Sequence, residues 1–207
     1  MDLIINALIF IVTVVLTVQF FCQDGEWRFR NGVPAFRYFT VLSNDFCAAA
    51  ALLLCFAPGR TWAWTLKYIG TAAVTVTMLT VLFFLGPNMG YKKLLSGVDL
   101  FMHLLTPLCA IVSFCFFEKW GMTFCISLLG MLPVLLYAIL YLYKVILAPE
   151  NRRWEDFYGF NKNGKWPISL AAMLFGGHAV WQLCREYAVS FLAKRDLITP
   201  AGGYKCR

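Results

Sequence analysis

The chain alternates long apolar runs with short polar breaks. Six runs stand out: Leu3–Cys22, Phe36–Ala57, Leu66–Leu85, Val98–Phe117, Met122–Leu147 and Ile168–Leu192. A helix needs about 20 mostly apolar residues to cross a bilayer, and each run meets that length. The pattern predicts an all-α fold, an integral membrane bundle of six transmembrane helices, forming a single transmembrane domain over residues 1–207. The connections 23–35, 86–97 and 148–167 are longer and polar, whereas 58–62 and 118–121 are short. Six spans put the three long connections on one face and both termini on the other. The first run carries Asp2 where a leader would have basic residues, and no A-x-A site follows it, so it is read as a retained helix. No internal repeat or low-complexity segment interrupts the pattern.

Two polar clusters break the apolar runs near their starts. One is Arg37-Tyr38-Phe39-Thr40-Val41-Leu42-Ser43-Asn44-Asp45; the other is Asp99-Leu100-Phe101-Met102-His103. Polar and ionisable side chains inside a bilayer are costly and mark functional sites by default. The second and fourth runs start from the same face. At 1.5 Å per residue, Thr40 and His103 both fall roughly 6 Å into their helices. Residues three and four apart share a helix face, so Thr40, Ser43 and Asn44 form a stripe. Helix packing alone explains a lone threonine, because Ser and Thr bond carbonyls one turn back. Asp45 asks for more, since a carboxylate at mid-helix costs about 2.5–3.5 kcal/mol on insertion scales.

His103 follows Asp99 by one turn, so the carboxylate is placed to accept from one ring nitrogen and leave the other as a base. Pro107 has no amide hydrogen for the His103 carbonyl, which predicts a local distortion there. His178 lies beside Gly176 and Gly177 and is read as structural, with Arg185 and Glu186 near the far end of that run. The loop from Trp154 to Pro167 mixes aromatics, carboxylates and glycines. Interfacial anchoring accounts for Trp154 and Trp166. It accounts less well for Asp156, Tyr158 and Asn161, which are placed to cap a cavity holding Thr40 and His103.

Composition narrows the classes. Of 207 residues, 60% are hydrophobic and only 14% charged, against about 25% charged in soluble domains. The net charge of +7 therefore has no soluble basic domain to act from, and nucleic acid is excluded as a partner. Basic loops meet lipid phosphates instead. The eight cysteines contain no C-x-x-C and fall mostly within apolar runs, where a thiol packs as a small hydrophobe. Two histidines on separate runs make no zinc pattern, and no metal or other cofactor is expected. A cell-membrane, multi-pass placement follows. Basic residues divide nearly evenly between the faces, and Lys194 and Arg195 after the last run favour a cytoplasmic side for both termini. The sequence leaves the oligomeric state open.

Arg37-Tyr38-Phe39-Thr40-Val41-Leu42 and Met102-His103-Leu104-Leu105-Thr106-Pro107 resemble, in this order, two segments of the androgen-induced-gene family of multi-span membrane hydrolases and its bacterial relatives. The loop near Phe157–Pro167 is similar to a segment of the bacterial members. The resemblance runs from the second apolar run to the sixth. It implies hydrolysis of fatty acid esters of hydroxy fatty acids, with an intramembrane threonine nucleophile at Thr40 and the histidine at His103. Asp99 stands where animal members carry Asn. The proline follows His103 by four residues, and the long polar insertions of the animal proteins are missing.

The chemistry agrees with that expectation. A threonine hydroxyl is a weak nucleophile until a base takes its proton. His103 is placed to do so with Asp99 behind it, and Ser43, Asn44 and Asp45 line the place where substrate or an oxyanion would sit. The partner is then a membrane lipid or fatty acid ester reached from the bilayer. Two other readings fit the same residues. One is a lipid acyltransferase on the same scaffold. The other is a non-enzymatic transporter, sensor or lipid binder whose buried polar groups line a path.

Overall fold

The computed structural model describes residues 2–23, 25–118, 123–176, 178, 179, 181, 182, 186 and 190. Five helices in it are long and apolar enough to cross a membrane: α1 (Asp2–Gln19), α2 (Phe39–Phe56), α3 (Thr61–Met89), α4 (Val98–Phe116) and α5 (Phe124–Leu147). A shorter apolar helix, α6 (Trp166–Phe175), opens the sixth predicted run. The rest of that run lies largely outside the described residues, so five helices of spanning length stand among the described residues where the sequence predicts six spans. The only strands among the described residues are β1 (Cys22–Gln23) and β2 (Glu26–Trp27), a small antiparallel hairpin after α1.

The helices α1, α2, α3 and α4 form a closed ring in which α2 packs on both α1 and α3, and α4 packs on both α3 and α1. Helix α5 lies against α3. Burial ranks them: 67% of the best window of α3 is buried, against 22% for α1. Helix α3 is thus the core of the bundle, and α1 turns its Leu3, Ile4, Leu8, Ile11 and Val15 outward. Small residues permit the closest approach. A Cβ added at Gly70 would lie 2.8 Å from the Cys47 Cα, so α2 and α3 meet backbone to backbone, as small residues allow in membrane bundles. Ala50, Ala51 and Ala73 are buried nearby in sequence on the same two helices.

Helix α3 begins at Thr61, five residues before the predicted start, and continues four residues past the predicted end. The chain turns into it through Gly59, whose φ of +77° favours glycine. Among the described residues four helices carry π-type wide turns: Val81–Leu85 in α3, Phe101–Leu105 in α4, Tyr143–Leu147 in α5 and Ala172–Gly176 at the end of α6. The turn in α4 directly precedes Pro107. The Thr106 amide reaches back to Phe101, the register a helix adopts where a proline has removed the ordinary bond.

The two ends of the ring are polar in different ways. At one end the start of α1 meets the α2–α3 turn, with Cys55 Sγ 3.7 Å from the Leu3 carbonyl. At the other end Thr17 near the end of α1 donates to Asp45 near the start of α2, at 2.6 Å.

Candidate functional site

Thr40 stands in the first turn of α2, half-buried, on the wall of a small cavity of about 30 Å³. Its polar neighbours there are Thr77 and Thr80 from α3, Tyr137 from α5 and Tyr158 from the loop before α6; the rest of the wall is apolar. A space of this size holds about two waters. The Tyr158 phenol oxygen accepts from the Phe39 amide at 2.8 Å and lies beside the Thr40 hydroxyl. The Thr40 side chain acts on this phenol in the sense of a hydrogen-bond donor, so in the resting site the Tyr158 oxygen accepts. Loss of solvation among its neighbours pushes this phenol up to about 12, so it stays protonated at neutral pH.

A second, larger cavity of about 450 Å³ shares Leu85, Tyr158 and Phe160 with the first. Lys162, Lys165 and Asn88 are among its lining residues. It gives the long-connection face a polar vestibule above Thr40.

Asn44 lies one turn after Thr40. Its amide nitrogen donates to the Thr40 carbonyl at 2.8 Å and, across the ring, to the Met102 carbonyl at 2.9 Å. Thr40 and the His103 turn are thereby tied through one side chain. The Asn44 Oδ1 is buried with no partner among the described residues. Ser43 donates to the Thr40 carbonyl at 3.1 Å and pairs with the Thr77 hydroxyl at 2.9 Å. Both residues predicted to hold an oxyanion thus direct their polar atoms to α2, α3 and α4. Asp45 pairs with Thr17 on α1 and is not among the residues lining the Thr40 cavity.

His103 is 8% exposed, and its Nδ1 lies 2.7 Å from the Leu94 carbonyl. A carbonyl only accepts, so in a neutral ring Nδ1 carries the hydrogen and Nε2 keeps its lone pair. The predicted Asp99–His103 bond is not made: Asp99 is exposed, and the Leu94 carbonyl holds the ring in its place. The wide turn at Phe101–Leu105 explains the change, because it breaks the four-residue register on which the pairing relied. No hydrogen bond joins Thr40 to His103 among the described residues, and His103 does not line the Thr40 cavity.

The loop before α6 is built on Asp156. One carboxylate oxygen accepts from the Tyr141 hydroxyl at 2.7 Å and the Phe160 amide at 3.0 Å, and the other accepts from the Asn161 amide at 2.9 Å. Aromatic contacts fix the rest: Tyr158 packs on Phe157, Phe160 and Tyr141 with centroids 4.6, 4.9 and 5.5 Å apart. Asp156 orders the loop, Asn161 contributes its amide, and Tyr158 is the residue that reaches the Thr40 cavity.

The structure also shows a buried charged cluster at the other end of the ring. Lys67 on α3 is fully buried; its Nζ donates to Asn6 Oδ1 at 2.6 Å and to Glu118 Oε1 at 3.3 Å. Asn6 Nδ2 and Ser113 Oγ donate to the same Glu118 oxygen at 2.9 and 2.7 Å. The sequence reading left Lys67 and Glu118 at the edges of spans. A signal was present: Lys67, Thr71 and Thr75 are spaced by four, a polar stripe down one face of α3.

Among the described residues, no group of three or more His, Cys, Asp or Glu is arranged to hold a metal ion. Compared with protein-family models, curated proteins and solved structures, the chain matches none of them.

Proposed function

We propose that this chain is an intramembrane hydrolase of lipid esters, with Thr40 as nucleophile and His103 as base. The observation that carries the reading is the Asn44 bridge, which ties the Thr40 turn to the His103 turn at the same end of the ring. The motif resemblance to the androgen-induced-gene family points to the same two residues.

In this reading the Thr40 oxygen attacks the ester carbonyl and its proton passes to His103 Nε2. Asn44, one turn after Thr40, meets the Met102 carbonyl, so Thr40 lies about one helical turn, roughly 5 Å, nearer the vestibule than His103, and in this reading a water bridges them in the proton transfer. Once Thr40 has lost its proton and attacked, the Tyr158 hydroxyl is free to turn its own hydrogen to the oxyanion, a role expected from the sequence of Ser43, Asn44 and Asp45. The protonated His103 then gives its proton to the departing alkoxide, and the alcohol leaves. Water enters from the vestibule, loses a proton to His103 and attacks the acyl-threonine carbonyl. The fatty acid is released and Thr40 is restored. An acyltransferase differs only in the second step, where a lipid alcohol replaces water. The protein is a multi-pass cell-membrane protein with its ester substrate arriving from the bilayer.

One observation favours a non-catalytic transporter or binder instead: the fully buried Lys67–Glu118 pair, of the kind that lines ion and substrate paths. Labelling detergent-solubilised protein with a fluorophosphonate separates the two. The hydrolase reading expects labelling of the wild type and its loss in both Thr40→Ala and His103→Ala, each still folded by circular dichroism. An unlabelled wild type moves the assignment to the transporter reading. Labelling that survives Thr40→Ala places the nucleophile elsewhere.

A further inference from the structure

At the end of the ring away from Thr40 lies a cavity of about 370 Å³, within the range of small-molecule pockets, about 300–1,000 Å³. Its wall includes Asp2, Asn6, Trp64, Phe117 and Glu118. We propose that this cavity binds a primary ammonium group, with Glu118 Oε2 as the acceptor.

The argument starts from the two oxygens of one carboxylate. Glu118 Oε1 accepts from Asn6, Lys67 and Ser113. Oε2 is buried and has no partner among the described residues, although the Glu118 side chain is only 3% exposed. An ionised carboxylate oxygen left bare in a low-dielectric site is costly, and a charged donor relieves it best. The rest of the wall selects the sign of the ligand. Glu118 supplies the open carboxylate oxygen, Asp2 having partners of its own, and no Lys, Arg or His side chain lines the cavity among the described residues. Lys67 is fully buried beneath, with bonds to Asn6 and Glu118. It balances Glu118 without facing the cavity. Trp64 and Phe117 offer aromatic surface, which attracts cations further. An anion finds no donor side chain of opposite charge there.

The depth is that of a headgroup. Asp2 begins α1, Pro58 and Gly59 form the turn between α2 and α3, and Phe117 follows the end of α4. A primary ammonium at this level comes from the ethanolamine headgroup of a lipid or from a free amine in the aqueous phase.

The full chain in a maltoside detergent is heated with increasing ethanolamine, and separately with choline, whose nitrogen has no hydrogen to donate. Ethanolamine is expected to raise Tm saturably, by a few degrees at a hundred times its Kd, and choline is not. Glu118→Gln alone strands the Lys67 charge, so the informative variant is Lys67→Met with Glu118→Gln, a neutral replacement of the pair. It should fold and lose the response. Native mass spectrometry of protein from nanodiscs of mixed phosphatidylcholine and phosphatidylethanolamine separates the sources. Retention of phosphatidylethanolamine by the wild type and not by the double variant assigns the lipid headgroup; an ethanolamine shift without retention assigns a free amine. Lys119, the next residue, lies outside the described residues. A shift that appears only in Lys119→Gln means the protein's own ammonium occupies the place, which overturns the proposal. So do an equal response to choline, and no response to ethanolamine together with no retention of phosphatidylethanolamine. The readout is binding and is independent of the ester chemistry at Thr40.

Discussion

The Asn44 amide spans the ring from α2 to α4, donating to the Met102 carbonyl at 2.9 Å while it also holds the Thr40 carbonyl. A proline four residues after His103 frees carbonyls in this part of α4, and a wide turn redirects them. Asn44 takes up one of them. The side chain is therefore both a clamp between helices and the register mark that sets Thr40 against His103.

Asn44→Ala removes both bonds. Interhelical hydrogen bonds in membranes contribute about 0.6–2 kcal/mol, so the variant should lose about 1–2 kcal/mol of stability. Asn44→Asp, which has no amide hydrogens to give two carbonyls, should lose at least as much. Thermal or denaturant unfolding in mixed micelles reads both. A wild-type stability in either variant would remove the clamp from the account.

Lys67→Met leaves Glu118 buried with a charge and no cation. Breaking a buried pair in this way costs about 3–5 kcal/mol. The Lys67→Met/Glu118→Gln variant should recover most of that loss, since no charge is stranded. A double-mutant cycle on unfolding free energies measures the coupling, and additive losses would contradict it.

Gly70→Ala places a methyl 2.8 Å from the Cys47 Cα. Backbone cannot turn aside as a side chain does, so α2 and α3 must separate. Overpacking of this kind costs about 1–3 kcal/mol. Cys47→Gly does not relieve it, because the nearest atom belongs to the main chain. That pair of variants distinguishes a backbone clash from a side-chain one.

Tyr158→Phe removes the acceptor of the Phe39 amide and, on the proposed mechanism, the oxyanion donor. Turnover of a lipid ester should fall by about 100-fold, the typical loss of one such donor, with labelling of Thr40 reduced. The pH dependence has a definite sign. The phenol is raised to about 12 in the folded protein from about 10 in an unfolded chain. Its contribution to stability is complete below pH about 10 and is lost as pH rises toward about 12. Melting temperatures between pH 9 and 11 should therefore drop more steeply for wild type than for Tyr158→Phe. Parallel curves would contradict the burial of this phenol.

Much of the architecture was legible in the order of apolar runs, because five of the six coincide with helices long and apolar enough to span among the described residues. The starts were less legible. Thr61 and Trp62 read as part of a turn, yet they are the first helical residues of α3, since a helix end at a membrane surface tolerates polar side chains. Lys67 shows the deeper difficulty. Burying an ammonium costs so much that a sequence reading assigns it to an interface, and its partners Asn6 and Glu118 lie 61 and 51 residues away. The Thr40 stripe was visible because its spacing is local. The Asp99–His103 pairing assumed an ordinary helix, and a single wide turn was enough to undo it. Tyr158 was picked out as a cap from its loop, but its reach to Thr40 depends on how Asp156 folds that loop.

Three bonds to one carboxylate and a stack of aromatic rings make the 154–161 segment a preassembled piece. Its parts have little reason to come away one by one. When the Asp156 carboxylate turns away, the Tyr141 hydroxyl and the Phe160 and Asn161 amides lose their common acceptor together, and Tyr158 withdraws from Phe39 in the same event. Such a segment responds to heat or denaturant with a threshold, detaching whole while the helices below keep their shape. A melting profile followed at its aromatic absorbance would show a step ahead of the helical transition.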